Sequence, residues 1–126
     1  MNKTNSNSER RRNPRLVHTI PVKLSSDEME IITETKNLSA AGAYCRVNKY
    51  LEPMTKLKVH LLLSIKKNKR FSTKKISCQG VVVRTEAASN TDYFYTAIFF
   101  NDIAPKDGQF LKDFVDSLLD QKVKSI

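Results

Sequence analysis

The sequence predicts a mainly β fold: a small antiparallel six-stranded β-barrel with a flexible N-terminal arm and one C-terminal amphipathic α-helix. Three observations carry this expectation. Short runs of alternating apolar residues recur between residues 16 and 100, with turn-forming residues between them. No helical pattern separates the runs, which excludes parallel crossovers and leaves antiparallel pairing. Beyond Pro105 the apolar spacing changes to the helical period. A chain of 126 residues suits one domain and can bury a core without disulfides or a metal.

The elements follow in order. Residues 1–9 are polar after Met1 and lack any period, so they read as a disordered tail preceding a domain over residues 10–122; residues 123–126 form a short C-terminal tail. Pro14 biases Asn13 toward an extended conformation and argues against a helix through the neighbouring arginines. Ile20, Val22 and Leu24 share one face of a first strand, which Pro21 is expected to confine to an edge or a bulge. Met29 to Lys36 gives a second strand, and Ala43, Cys45 and Val47 a short third. The clearest strand runs from Lys56 to Ile65, with Leu57, Val59, Leu61, Leu63 and Ile65 on one side. A basic loop, Lys66 to Arg70, connects it to a strand carrying Ile76, Cys78, Gly80 and Val82. The turn cluster Ser89-Asn90-Thr91-Asp92 precedes Tyr93 to Phe100, whose aromatic residues should divide between core and surface. Pro105 opens a helix in which Phe110, Leu111, Phe114, Val115, Leu118 and Leu119 face the core, while Asp113, Asp116 and Asp120 face water.

Charge narrows the function. The chain holds 22 Lys and Arg against 13 Asp and Glu, a net of +9. Two clusters create this excess. Lys3, Arg10, Arg11, Arg12 and Arg15 oppose Glu9 alone, and Lys66, Lys67, Lys69, Arg70, Lys74 and Lys75 have no acid among them. The rest of the chain is nearly neutral, so an anionic partner is expected at one or two places. No apolar run is long enough to span a membrane and the N-terminus has no secretory pattern, which places the protein in the cytoplasm with no membrane insertion. Cys45 and Cys78 form no Cys-x-x-Cys and read as small buried hydrophobes. With His18 and His60 isolated and no carboxylate pair arranged for acid–base work, neither a metal site nor a catalytic residue is expected.

Two motifs remain. Arg11 and Arg15 frame an Arg-x-x-x-Arg, and guanidinium forks match both phosphate oxygens and the N7/O6 edge of guanine. Asn37-Leu38-Ser39-Ala40-Ala41-Gly42 sits at a strand end, where Asn37 and Ser39 would point to the same side and offer amide and hydroxyl groups. Gly42 permits a positive φ or a close backbone approach. The plain reading of each is a solvated basic tail and an ordinary polar turn.

In combination the two motifs resemble the PilZ domain, a bacterial receptor module for cyclic di-GMP. Arg11-Arg12-Asn13-Pro14-Arg15 matches its Arg-x-x-x-Arg, and Asn37-Leu38-Ser39-Ala40-Ala41-Gly42 its Asp/Asn-x-Ser-x-x-Gly. Arg10 fits the arginine often found just before the first motif. A looser likeness is Tyr95-Thr96-Ala97-Ile98-Phe99-Phe100, followed by the Pro-led helix; the family usually has Gly where this chain has Ala97, a departure expected to affect local packing more than binding. The resemblance covers residues 10 to about 122. It implies a non-enzymatic receptor whose ligand is cyclic di-GMP and which needs no cofactor. Arg11 and Arg15 would grip guanine edges and phosphates, Asn37 and Ser39 would bond guanine, and Gly42 would let the backbone present them. Arg10 and Arg12 would assist. Binding would order the arm from Ser8 to Leu16 and switch an interaction with a protein effector. The alternative is a small basic β-barrel that binds RNA or single-stranded DNA through the Lys66–Lys75 cluster, with steep salt dependence.

Overall fold

The computed structural model describes residues 19–124. Six antiparallel strands, β1 (Pro21–Ser25), β2 (Glu30–Leu38), β3 (Gly42–Val47), β4 (Lys56–Lys67), β5 (Arg70–Ala87) and β6 (Phe94–Asp102), precede one helix, α1 (Pro105–Lys124). The strands close into a barrel in the order β1-β2-β3-β6-β5-β4, with β4 returning to pair with β1. The mainly β class, the six strands and the C-terminal helix are as the alternation requires.

Period-two patterning places the core. Val22 and Leu24 of β1, Ala43, Cys45 and Val47 of β3, and Leu57, Val59, Leu61 and Leu63 of β4 all point inward and are buried. Ile76, Cys78 and Val82 of β5 and Ile98 and Phe100 of β6 complete the wall, and α1 adds Leu111 and Val115 to the same cluster. Truncating any of the fully buried leucines to alanine costs about 2–5 kcal/mol, lost transfer energy plus cavity. Both cysteines are unpaired and buried. Burial pushes the Cys45 thiol up to about 12. Cys78 rises to about 11, through burial first and then the nearby Asp107 and Asp102 charges. Each packs as an inert apolar residue.

The helix begins as its sequence dictates. The Ala104 carbonyl accepts the first helical bond from the Gly108 N–H at 2.8 Å, leaving Pro105 at the first position, where its missing N–H has no partner to lose. On the solvent side Gln109 donates to Asp113 and Lys112 pairs with Asp116. The side chain of Asp120 lies outside the described set. No helix among the described residues is long and apolar enough to cross a membrane.

Two expectations need correction. β1 is not an edge strand: it pairs on both sides, and Pro21 stands at its first position, one residue before pairing with β4 begins at Val22. A proline there removes no ladder bond on that side. Nor is Lys66 to Arg70 a loop. β4 and β5 run through it to a two-residue turn at Asn68-Lys69, with φ of 54° and 66°. Two positive φ values define a type I′ turn, whose twist matches that of the flanking strands. β1 pairs with β4 only as far as Leu61, and β6 with β5 only from Gln79. Residues 62–67 and 70–75 therefore pair only with each other, as a two-stranded ribbon extending past the barrel wall. Its inner face is covered near its base, where Leu63 is fully buried and the Lys74 ammonium lies 5.1 Å over the Phe110 ring.

Candidate functional site

The Asn37–Gly42 motif starts inside β2, which runs to Leu38, two residues past the expected end at Lys36, and contains a bulge. Thr35 pairs with Cys45 and Asn37 with Tyr44, so Lys36 is an extra residue. Strict alternation would send Asn37 inward beside the buried Thr35. The bulge turns Asn37 to the outer face and returns Leu38, fully buried, to the core.

The turn that follows is closed by Ser39. Its N–H donates to the Gly42 carbonyl at 2.9 Å, and its Oγ accepts from the N–H groups of Ala41 and Gly42, each at 3.2 Å. The hydroxyl is thus engaged in shaping the turn, as serine does in such motifs. Among the described residues no hydrogen bond engages the Asn37 side chain. Gly42 is required by proximity, since no described glycine has a positive φ. A Cβ at this position would collide with the Ile98 carbonyl oxygen on β6. The N–H of Phe100 also donates to the Ala41 carbonyl at 2.8 Å, locking the turn against that strand.

A second bulge faces the first across β3 and β6. Val82 pairs with Ile98 and Arg84 with Ala97, which makes Val83 the extra residue and leaves both Val83 and Arg84 on the outer face. A turn at Glu52–Thr55 braces it: the Met54 N–H donates to the Val82 carbonyl at 2.7 Å, and the Val82 N–H to the Thr55 carbonyl at 2.9 Å.

Between the bulges lies an open groove of about 350 Å³, lined by Asn37, Ser39, Gly42, Tyr44, Arg84 and Phe99 among others. Ala97 lies on its floor, cross-strand from both Tyr44 and Arg84. The departure from Gly at this position, expected to affect local packing more than binding, puts a methyl group on the groove floor. Phe99, opposite Gly42, is 48% exposed and offers an apolar ring beside the close backbone approach. Glu86 organises one wall: it accepts from the Tyr44 hydroxyl at 2.8 Å and pairs with the Arg84 Nε at 3.5 Å. Burial, then the Glu86 hydrogen bond, raise the Tyr44 hydroxyl above its ordinary value, so it stays a donor at neutral pH. Tyr44 stacks on Tyr95 at 5.5 Å, and the Lys36 ammonium lies 4.3 Å over the Tyr95 ring.

The geometry joins Asn37, Ser39 and Gly42 in one groove. Arg10, Arg11, Arg12 and Arg15 lie outside the described residues. The chain enters beside the site: Ile20 accepts from the Thr35 N–H at 2.8 Å and donates to Thr35 Oγ1 at 3.1 Å, two residues before Asn37. Arg15 is five residues upstream of Ile20, within roughly 17 Å of contour length. Arg84, Val83 and Phe99 escaped the sequence reading. A signal existed in Val81-Val82-Val83-Arg84, because three successive apolar residues cannot alternate on a strand with a wet outer face.

An outward amide, a guanidinium and an exposed ring beside bare backbone suit a planar, hydrogen-bonding, anionic ligand. A β-barrel of this topology, with a groove built on this motif, defines a class. The PilZ domain profile matches residues 9–117, and the chain belongs to the PilZ domain family. Among solved structures it is similar to the inhibitor of motility MotI/DgrA of Bacillus subtilis, with TM-score 0.75 and 22% identity over 90% of this chain and 52% of the other. It is similar also to YcgR of Escherichia coli in complex with c-di-GMP, with TM-score 0.69 and 12% identity over 92% of this chain and 49% of that one. The isolated PilZ domain of YcgR with c-di-GMP gives TM-score 0.62 and 10% identity over 92% and 96% of the two chains. The chain spans about half the length of the first two. No curated protein matches in sequence.

Proposed function

We propose that the chain is a non-enzymatic receptor for cyclic di-GMP, bound in the groove between the two bulges. The observation that carries this is the placement of Asn37, Ser39 and Gly42 around one groove, in a chain of the PilZ family. The complexes of YcgR with c-di-GMP support the choice of ligand. Asn37 meets the guanine edge with its amide, while Ser39 and Gly42 hold the turn that presents it. Phe99 gives the base an apolar neighbour. Arg11 and Arg15 clamp guanine and phosphate from the arm, assisted by Arg10 and Arg12, since bidentate guanidinium contacts suit both groups. Ligand-dependent closure of the arm over the groove then changes the surface offered to a protein effector, because a ligand shifts whichever state it binds better.

Calorimetric titration with cyclic di-GMP, with cyclic di-AMP and GTP as controls, tests the reading. Saturable heat with cyclic di-GMP alone is expected. No heat at ligand concentrations well above micromolar overturns it.

A further inference from the structure

The β4–β5 ribbon holds chemistry that the groove does not use. Residues 66–75 carry Lys66, Lys67, Lys69, Arg70, Lys74 and Lys75 with no acidic residue. At the tip, Arg70 opens β5 directly after the turn at Asn68-Lys69. Next to the tip, Phe71 is 75% exposed, with the Lys66 ammonium 5.6 Å from its ring centre. Leu62, opposite Lys75 on the same outer face, is 43% exposed. The face continues onto the barrel through His60 and Lys58, with Lys23 alongside on β1. The His60 imidazole registers the field there: burial first, and then Lys75, Lys23 and Lys58, lower its pKa.

A cationic finger with a phenylalanine beside its tip matches one kind of surface. We propose that the ribbon docks on an anionic phospholipid bilayer, Phe71 entering the headgroup layer while the lysines and Arg70 lie against lipid phosphates. Long basic side chains reach outward from a ring sunk among acyl chains, and each cation near an anionic leaflet adds to the attraction. A nucleic acid would neutralise the charges yet leave Phe71 and Leu62 in water, because the outer face of the ribbon has no second ring with which to form a stacking platform. The contact is peripheral. It also lies at the far end of β5 from Arg84, so both surfaces can be occupied at once.

The test is sedimentation of the whole chain with vesicles of mixed phosphatidylglycerol and phosphatidylcholine, against pure phosphatidylcholine, with a labelled single-stranded oligonucleotide as a parallel arm. Preferential binding to the anionic vesicles is expected, weakened at least about tenfold by Lys66→Glu with Arg70→Glu, and severalfold by Phe71→Ser. Both variants change exposed positions, so their thermal unfolding and cyclic di-GMP affinity should match the parent. Loss to charge reversal but not to Phe71→Ser overturns insertion of the ring. Binding of the oligonucleotide without the vesicles, or of neither, overturns the proposal whether or not cyclic di-GMP binds.

Discussion

Strand β5 carries the groove residues Val83 and Arg84 near one end and Phe71 near the other, about 40 Å apart along extended chain. Around the groove, β2 and β5 both break their alternation, and each bulge sends an extra polar or apolar side chain outward. Close backbone contact, a serine-locked turn and Ala97 keep the space between them shallow and open. Charges there are balanced, Arg84 by Glu86. The ribbon is the converse. Its register is unbroken from Lys56 to Lys67, and residues 66–75 carry six cations with no acidic residue among them. Concavity in this protein comes from broken alternation with charge compensated. The convex finger comes from an unbroken register with charge left over.

If that contrast is right, the same substitution should have opposite signs at different glycines. Gly42→Ala forces a Cβ into the backbone of β6, where no side chain can move aside, and should cost about 3 kcal/mol along with ligand binding. Gly108→Ala meets nothing nearer than the Ile103 methyl at 3.6 Å and should gain up to about 1 kcal/mol from helix propensity. Denaturant melts of the two variants measure both. Equal effects would mean that the turn approaches β6 less closely than described.

The next effect should be on binding without any on folding. Arg11→Ala or Arg15→Ala should weaken cyclic di-GMP by at least tenfold, about 1.5–3 kcal/mol for one bidentate charge-assisted contact, with an unchanged melting temperature. Trypsin cleavage after Arg10, Arg11 and Arg12 should slow when ligand is added to the parent and not to these variants. A smaller loss, about three- to tenfold, is expected for Arg84→Ala, because its guanidinium is exposed and already shared with Glu86. Titration calorimetry ranks the three. Parent-like affinity in Arg84→Ala would confine recognition to the β2–β3 side of the groove.

The barrel and helix were legible because period-two and period-3.6 patterns report directly on which side chains must leave water. Leu57 to Ile65 and Phe110 to Leu119 are the plainest cases. The Asn37–Gly42 motif was legible as a residue pattern, but not the reason it works. A bulge at Lys36 has no single-residue signature, since it is set by how β2 registers against β3, and only that register turns Asn37 outward. Arg84 differs, because the run Val81-Val82-Val83 before it does break the alternation and signals a bulge. The sequence shows the Ser39 hydroxyl as a group offered to a ligand, but not that its Oγ also accepts from the Ala41 and Gly42 amides, since that bond depends on the shape of the turn. The lysines before and after Asn68 read as loop because charge runs usually are. Pairing of β4 with β5 overrode that tendency once the turn adopted two positive φ values.

The smallest effect probes the positive field of the ribbon face on its own. His60 lies between Lys23 on β1 and Ser77 on β5, with its Nδ1 2.7 Å from the Ser77 hydroxyl. Its folded-state pKa is lowered by burial and then by Lys75, Lys23 and Lys58, with Glu30 opposing. The unfolded chain therefore takes up the proton first as pH falls. The stability tied to neutral His60 is fully present above the ordinary histidine value of about 6.5 and is lost as pH drops through the lowered folded value. His60→Gln should flatten that acid-side slope, by no more than about 2 °C in melting temperature, because the ring is partly solvated. Following the His60 ring by NMR at rising salt separates the causes. Salt screens the lysines but not burial, so the pKa should climb only part of the way to the ordinary value. A pKa indifferent to salt would mean that burial alone sets it, and that the lysines of the face exert less field than their number implies.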